Sequence, residues 1–216
     1  MDQNQDKLKK RLEHKNTAII VVDVQNDYCH PEGAIAKLGT DVSSVKNMMP
    51  NLHALLEAAQ QHHVPVIYLQ TNHEKATDSE VWVSRFADGI NPICHTGSWG
   101  AEFYEVSPLP DDIIVKKHRY SGFIHTRLES VLQTLKIETL IMTGVSTNLC
   151  VESTARDGFM MDYHIVLMKD ACAAFTQEEH DMTVQTVDTY FGMASDTKAV
   201  ISFWQQQPNQ APQLQH

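Results

Sequence analysis

Apolar, β-branched runs alternate along this chain with longer segments of helical period, and this alternation limits the fold more than any other feature. Several runs are almost continuously hydrophobic, which is typical of parallel strands buried on both faces. The predicted strands are residues 17–24, 64–70, 112–117, 139–145, 163–171 and, as a sixth, 199–203. Strands that alternate with helices predict an α/β fold: a mostly parallel six-stranded sheet between two helix layers, with right-handed crossovers.

The helical segments carry start and stop signals. Thr126 with Glu129, and Thr176 with Glu179, have the spacing of a capping box, in which a hydroxyl and a carboxylate three residues apart cap the first turn. Gly192 follows the second of these helices and predicts where it ends.

The length of 216 residues accommodates one well-filled domain, which we place at residues 15–203. Residues 1–14 are expected to form a polar N-terminal extension, and the Gln/Pro-rich residues 204–216 a flexible tail. Residues 71–111 show little regular pattern. So long an irregular stretch in a compact domain usually contributes a functional loop or an oligomer contact.

Charge and cysteine usage argue against several classes of protein. A formal net charge of −10 argues against a nucleic-acid partner, because such proteins need basic side chains to displace counterions from phosphates. No apolar run is long enough to span a bilayer, and the polar N-terminal residues lack the apolar centre of a secretory signal. Because Cys29, Cys94, Cys150 and Cys172 lack CxxC or metal-type spacing, we expect no disulfide framework, no zinc site and a cytoplasmic location.

Three polar side chains stand at the carboxyl ends of predicted strands, where open α/β sheets bind their ligands. Asp23 and Lys117 end two of the apolar runs, and Cys150 follows a third and precedes a helical pattern. Strand alternation separates Lys117 from Lys116, so only one of these lysines can point into a given site. Taken singly, the three residues have ordinary structural interpretations: a buried free thiol, a capping or ion-paired carboxylate, and a solvated lysine.

Together the three side chains make chemical sense as a nucleophilic centre. A free thiol with a pKa of ~8.5 is only about 3% ionised at neutral pH. A helix start at Cys150 would lower that pKa. An ammonium ~4 Å away would favour the thiolate by about 4 kcal/mol at an effective dielectric of ~20, before desolvation. Lys117 would keep Asp23 ionised, and Asp23 would accept the thiol proton.

Three motifs, IIVVDVQNDY, KHRYSGF and TGVSTNLCVESTARDGF, resemble in order and spacing those of the isochorismatase-like family of cysteine hydrolases, over roughly residues 15–203. The resemblance implies a Rossmann-like three-layer sandwich and a triad of Asp23, Lys117 and Cys150. It also implies hydrolysis of an amide-type C–N bond through a covalent acyl-enzyme.

The same resemblance implies a cis peptide bond between Val145 and Ser146. The backbone N–H groups of Ser146 and Cys150 would then form an oxyanion hole. In the implied mechanism, Asp23 takes the Cys150 proton, returns it to the leaving ammonia or amine, and then activates the water that hydrolyses the thioester.

Among the family's amidohydrolases, the motifs are most similar to the branch that contains ureidoacrylate amidohydrolases and biuret hydrolases, which act on small planar ureides. Such substrates need a compact pocket with several hydrogen-bonding groups. The side chains expected to bind substrate are Gln25, Asn26, Tyr28, Trp82, Tyr120 and Phe123. Trp99 is a further candidate, although Trp99 and Phe123 could equally lie in the core or in an interface.

Nicotinamidases of this family hold a metal with an Asp and paired histidines after the second strand, where this chain has Asn72 and His73. Asparagine is a poor metal ligand, no second histidine follows at short spacing, and His95 is remote in sequence. We therefore expect no metal and no cofactor, with both histidines solvated or capping.

Other functions stay open. The chain could be another C–N hydrolase of the family, acting on N-carbamoyl amino acids, lactams or nicotinamide-type amides. It could be a non-catalytic binding subunit, which the intact triad argues against, or a redox sensor in which Cys172 resolves Cys150. The irregular region 71–111 and the resemblance both favour a homodimer or homotetramer. The expected partner is a small-molecule ureide or amide, without a membrane or nucleic-acid partner.

Overall fold

The computed structural model describes residues 3–13 and 16–206, and its central element is a sheet of parallel strands. The strands are β1 (Thr17–Val22), β2 (Val66–Thr71), β3 (Ile113–Lys117), β4 (Thr139–Val145), β5 (His164–Ala173) and β6 (Met193–Ser195). Their order across the sheet is β3-β2-β1-β4-β5-β6, and every neighbouring pair is parallel. This sheet confirms the predicted α/β class.

Helices follow most of the strands and cover the sheet. The α-helices are α1 (Gln3–Leu12), α2 (Asn26–Cys29), α3 (Ala34–Lys37), α4 (Val45–Gln61), α5 (Glu80–Val83), α6 (Leu128–Thr134), α7 (Glu152–Met160), α8 (Gln177–Thr186) and α9 (Thr197–Gln206). A 3₁₀ turn covers Trp99–Ala101, and π-helical turns cover Thr147–Val151 and Val187–Phe191. Gly192 ends the last of these turns, as predicted.

The side chains of β1 alternate between the two faces of the sheet and assign the helices to two layers. Ile19 and Val21 pack in one apolar cluster with residues of α1, α4 and α9. Ala18, Ile20 and Val22 pack in a second cluster with residues of α6 and α7. Because all of these side chains are fully buried, β1 is a central strand covered from both sides, as its continuous apolar run predicts.

The prediction of a strand at residues 199–203 is wrong, because this segment lies within helix α9 and the sixth strand is β6. Val200 and Trp204, four residues apart, are both buried, as expected for one face of a helix. Asp170 accepts hydrogen bonds from the Thr197 N–H at 2.9 Å and the Thr197 hydroxyl at 2.7 Å, which fixes the first turn. A five-residue apolar run fits both periods, and packing decides between them.

One of the two predicted capping boxes is confirmed. Thr176 Oγ1 accepts a hydrogen bond from the Glu179 N–H at 3.2 Å and donates one to the Glu179 carboxylate at 2.9 Å. The box predicted at Thr126 is wrong, because helix α6 starts two residues later, at Leu128. The Thr126 hydroxyl donates to Gly122 O, and its oxygen accepts from the Leu128 N–H at 3.0 Å and not from Glu129, so it closes the turn that precedes the helix.

The two ends of the chain depart from their predicted boundaries. Residues 1–14 are more than a polar extension, because Leu8 and Leu12 of α1 are buried in the cluster on one face of the sheet. The tail predicted for residues 204–216 begins inside α9, and residues 207–216 lie outside the described residues.

Region 71–111 is irregular apart from α5 and the 3₁₀ turn, as predicted. Among the helices that the structure describes, none combines the length and apolarity that a membrane crossing needs.

Candidate active site

Four neighbouring strands end at one edge of the sheet, and the residues at their ends form the candidate site. Asp23 follows β1, Thr71 ends β2, Lys117 ends β3, and Cys150 lies in the π-helical turn after β4. Because these strands are adjacent and parallel, the four positions share the carboxyl edge of the sheet. The structure thus brings together the three residues predicted for the triad and adds Thr71.

Lys117 and Asp23 form a completely buried ion pair, in which Nζ lies 2.7 Å from Asp23 Oδ2. Nζ also donates to Thr71 Oγ1 at 2.8 Å and to Arg119 O at 3.0 Å. The Thr71 hydroxyl donates in turn to Asp23 Oδ1 at 2.8 Å. A buried ammonium is tolerated only with such a complete set of partners. Lys116, the adjacent residue, is exposed and lies on the other side of the strand.

The Asp23 carboxylate retains a free acceptor position. Apart from the ion pair, its buried Oδ2 has no hydrogen-bond partner in the part of the chain that the structure describes. The Cys150 thiol lies within hydrogen-bonding reach of the Asp23 and Lys117 side chains. The carboxylate is therefore placed to accept a proton from sulfur.

Burial raises the pKa of the Cys150 thiol, and the Lys117 ammonium offsets only part of this effect. The charge of the ammonium is already balanced by Asp23, so a thiolate would leave the buried site with a net negative charge. Burial alone would lower the pKa of Lys117, but its acidic neighbours Asp23 and Cys150 reverse this and raise it. Lys117 lowers the thiol pKa, as expected, but burial outweighs this effect, so the pKa of Cys150 in the resting protein is raised rather than lowered.

The backbone after β4 turns sharply beside this site. The Val145–Ser146 peptide bond is cis, as the resemblance implies. Gly144 has a φ of +106°, and a Cβ atom there would lie 2.1 Å from Val22 O, so the turn can press against β1 only without a side chain. The first N–H groups of a helical turn have no intrahelical partners, and here Ser146 and Cys150 stand at such a start.

Gln25, predicted to bind substrate, is a structural residue instead. Its side chain is fully buried, Nε2 donates to Thr71 O and Ala101 O at 2.8 Å, and Oε1 accepts from the Thr71 N–H at 2.8 Å. Asn26 Nδ2 donates to Trp99 O at 2.8 Å. Gln25 ties the loop around residues 99–101 to β2, and Asn26 ties it to α2, so the buried Gln25 amide is occupied by structural hydrogen bonds.

Of the predicted aromatic residues, Tyr28 lies close to the triad, and Trp82 and Tyr120 line a cleft. Tyr28 is half-buried, and its pKa is raised by burial and by acidic neighbours that include Asp23 and Cys150. Trp82 and Tyr120 pack with their ring centres 5.0 Å apart and line an open cleft of about 480 Å³. Tyr28 is therefore a neighbour of the triad, and Trp82 and Tyr120 can contact a molecule in the cleft.

The other two predicted aromatics face elsewhere. Phe123 is buried in the core cluster with α6 and α7 and stacks on Tyr163, with ring centres 6.0 Å apart. Trp99 is 47% exposed and packs edge-on against His30. Phe123 thus takes the core role that the sequence left open, and Trp99 lies on the surface.

The triad itself is nearly closed, since Cys150 is only 6% exposed. Its side chains do not line the cleft beside Trp82, nor a second cleft of about 470 Å³ near the end of β5. Two residues that line the Trp82 cleft are nevertheless close in sequence to triad residues. They are Arg119, whose carbonyl contacts Lys117, and Ser153, one helical turn after Cys150.

His73 is buried, so the expectation of a solvated or capping histidine is wrong there. Its Nδ1 lies 2.7 Å from Asp78 Oδ1, and its ring stacks on Trp82. His95 is exposed, and Asn72 is buried with an Oδ1 that has no partner among the described residues. Within residues 3–13 and 16–206, no group of three or more His, Cys, Asp or Glu side chains could hold a metal ion.

All four cysteines are free and buried. Cys172 Sγ donates to Met142 O at 3.6 Å inside the sheet, a position suited to packing. Of the residues that sequence reasoning missed, Thr71 carried one signal: it is polar and follows an apolar run, as Asp23 and Lys117 do.

Comparisons with known proteins agree with this geometry. The chain matches the isochorismatase domain family over residues 17–199. It is 33% identical to the ureidoacrylate amidohydrolase RutB of Acinetobacter baylyi, covering 90% of this chain and 86% of the relative. It is 32% identical to the protein of the same name from Caulobacter vibrioides, covering 86% and 90%.

Solved structures have the same fold. A cysteine hydrolase from Pseudomonas syringae pv. phaseolicola superposes with a TM-score of 0.81 at 30% identity, covering 88% of this chain and 92% of that one. The nicotinamidase PncA of Bacillus subtilis has a TM-score of 0.73 at 23% identity, covering 84% and 99%, which shows the shared fold alone.

Proposed function

The chain belongs to the isochorismatase family, and on that premise we propose that it cleaves a C–N bond of a small ureide or amide through a thioester on Cys150. As a member with amidohydrolase relatives, it is a hydrolase of non-peptide C–N bonds. The observation that supports the cysteine mechanism is the buried Lys117–Asp23 pair with the Cys150 thiol in hydrogen-bonding reach.

In the first half-reaction the thiol proton passes to Asp23 while sulfur bonds to the substrate carbonyl carbon. The carbonyl electron pair moves to oxygen, which the N–H groups of Ser146 and Cys150 stabilise. Collapse of this intermediate breaks the C–N bond, and Asp23 gives its proton to the leaving nitrogen. Proton transfer from sulfur to carboxylate leaves the net charge of the site unchanged, so the burial that disfavours a free thiolate does not oppose it.

In the second half-reaction Asp23 accepts a proton from water as the water oxygen attacks the thioester carbon. Collapse then breaks the C–S bond, and Asp23 returns the proton to sulfur. Lys117 stays charged throughout and keeps Asp23 available as a base. With a ureide, the first product is ammonia, and the released carbamate loses carbon dioxide to give an amine.

The proposed substrate is ureidoacrylate- or biuret-like, and the names of the relatives, ureidoacrylate amidohydrolases, support the first of these. The cleft of about 480 Å³ suits a small molecule and is lined by two of the predicted binding residues, Trp82 and Tyr120, while a third, Tyr28, lies close to the triad. The alternative is another C–N substrate of the family: an N-carbamoyl amino acid, a lactam or a nicotinamide-type amide. A non-catalytic binding subunit is the alternative outside catalysis.

Assembly and location complete the proposal. We propose a homodimer or homotetramer, because the irregular region 71–111 supplies much exposed loop beside the site. A cytoplasmic location is proposed because the four cysteines are free thiols.

A substrate panel tests the proposed function. Ureidoacrylate, biuret, an N-carbamoyl amino acid, a lactam and nicotinamide are incubated with the protein, and ammonia and product masses are measured. We expect the fastest turnover with a ureide, and none after Cys150→Ser. Turnover that survives this substitution, or no turnover on the whole panel, would refute the proposal.

A further inference from the structure

Two arginines near the candidate site have no carboxylate partner. The chain carries 27 acidic and 17 basic residues, so an arginine without an acidic neighbour needs an explanation. Within the described residues, neither Arg85 nor Arg119 has a carboxylate oxygen within 4.0 Å, whereas the nearby Arg156 pairs with Glu152. The two unpaired guanidinium groups therefore offer positive charge that the protein itself does not neutralise.

Both guanidinium groups surround one aromatic ring. Their central carbons lie 3.8 Å (Arg85) and 5.0 Å (Arg119) from the centre of the Trp82 indole ring. Arg85 also contacts the Tyr120 hydroxyl, and Arg119 Nη1 donates to Thr77 O at 3.1 Å. Two like charges at one ring repel each other. An anion bound between them would relieve that repulsion.

This cationic cluster is next to the reacting groups. The Arg119 carbonyl accepts a hydrogen bond from Lys117 Nζ at 3.0 Å, and the arginine follows the catalytic lysine by two residues. Its side chain lines the Trp82 cleft together with Ser153 of the helix that starts after Cys150. The Arg119 side chain thus lies in a cleft whose lining includes residues that closely follow Lys117 and Cys150 in the chain.

We propose that Arg85 and Arg119 bind the carboxylate of an anionic ureido acid, a substrate with a ureide at one end and a carboxylate at the other. This proposal rests on the amidohydrolase function proposed above and selects among its substrates. Guanidinium groups match carboxylates in charge and in planar geometry. Neutral ureides such as biuret lack the group that these arginines recognise. The other ionisable groups lining the cleft are His125, Asp157 and the paired Arg156, and Asp157 would repel a carboxylate placed against it.

A matched pair of substrates tests the assignment. 3-Ureidopropionate and propylurea share the ureide and the chain length, and only the first has a carboxylate. We expect kcat/KM of the wild-type protein to be about 10- to 100-fold higher for the ureido acid, from charged hydrogen bonds. Arg85→Gln and Arg119→Gln should each raise KM for the ureido acid, with little change in kcat, and leave propylurea kinetics within about twofold.

Lys116→Gln is the matched control, because it also removes one positive charge near the strand end but on the exposed side. It should leave the preference for the ureido acid intact. Binding to the Cys150→Ala protein by calorimetry gives a readout independent of turnover: 3-ureidopropionate should bind more tightly than propylurea, and Arg119→Gln should remove the difference.

The outcomes separate the two proposals. Equal use of both substrates by the wild-type protein, or equal losses for both in the arginine variants, would overturn the carboxylate assignment and leave the amidohydrolase function standing. No hydrolysis of either substrate, together with no turnover on the wider panel, would overturn the function itself. Tight, arginine-dependent binding of 3-ureidopropionate to the Cys150→Ala protein supports the carboxylate site.

Discussion

At the scale of single residues, the site depends on the charge and hydrogen-bond partners of the fully buried Lys117 ammonium. Lys117 has three partners, and Asp23 is the only one with a formal negative charge. In the proposed mechanism, the pair explains how a thiol with a raised pKa reacts. The Asp23 carboxylate can accept the thiol proton, and this transfer leaves the net charge of the site unchanged. Thr71 connects the two charged groups, because its hydroxyl accepts from Lys117 and donates to Asp23 Oδ1.

Asp23→Asn should abolish turnover and also destabilise the fold. The substitution removes the proton acceptor and leaves the Lys117 charge buried without a counterion, which costs about 3–5 kcal/mol. Urea unfolding and ammonia release measure the two effects. The exposed pair Lys169–Asp196 provides the control, since Asp196→Asn should cost less than about 1 kcal/mol. A stable, active Asp23→Asn protein would contradict this account of the pair.

Thr71→Val should lower kcat about tenfold while keeping the shape of the side chain. The hydroxyl both accepts from Lys117 and donates to Asp23, so its loss leaves two buried groups short of a hydrogen bond, at about 1–3 kcal/mol. Thr71→Ser, which keeps the hydroxyl, should restore most of the activity in a steady-state assay. Equal kinetics for the Val and Ser variants would show that the hydroxyl has no such role.

At the scale of secondary structure, pattern and strand order account for most of what could be predicted. The five long apolar runs became strands, and the rule that ligands bind at strand ends selected Asp23, Lys117 and Cys150. The short run at 199–203 failed because five apolar residues fit a helix and a strand equally well. A hydrogen bond from Thr197 to Asp170, distant in sequence, settled that case.

The remaining parts of the site could not be predicted for a different reason. Gln25 was predicted to bind substrate, but tertiary hydrogen bonds to Thr71 and Ala101 occupy its amide. Arg85 and Arg119 meet at Trp82 only because the irregular region folds back over the end of β3. No local periodicity encodes a contact of that kind.

Trp204→Ala should destabilise the protein by about 3–5 kcal/mol, because the indole is buried on the face of α9 that packs against the sheet layer. Gln205→Ala, an exposed neighbour on the same helix, should change stability by less than about 0.5 kcal/mol. Thermal and urea unfolding of the two variants make the comparison. Similar losses for both would mean that α9 does not pack as described.

At the scale of the whole molecule, the four buried thiols link stability to pH. Burial raises the pKa of Cys29, Cys94, Cys150 and Cys172 in the folded state. Below the unfolded pKa of ~8.5 both states keep their thiol protons and stability is unaffected. Above it the unfolded chain loses protons that the folded chain retains, so stability falls as pH rises.

Stability under reducing conditions should therefore fall by up to about 5 kcal/mol per pH unit above pH ~9, about 1.4 kcal/mol for each thiol. Urea unfolding at pH 8.0, 9.0 and 9.5 measures the slope. Cys172→Ala removes one titrating group and should reduce that slope by about a quarter. A stability that stays level across this range would contradict the raised pKa values.

The central claim about the whole molecule is that Cys150 carries the acyl group while Asp23 transfers the proton from the thiol to the leaving nitrogen. The most direct test is to mix the protein with a ureide that it hydrolyses, quench the reaction rapidly with acid during turnover, and analyse the peptides by mass spectrometry. The account predicts a transient mass increase equal to the mass of the ureide less ammonia, located on Cys150 and absent from Cys29, Cys94 and Cys172. Steady turnover with no adduct on Cys150, or with an adduct on another residue, would contradict it.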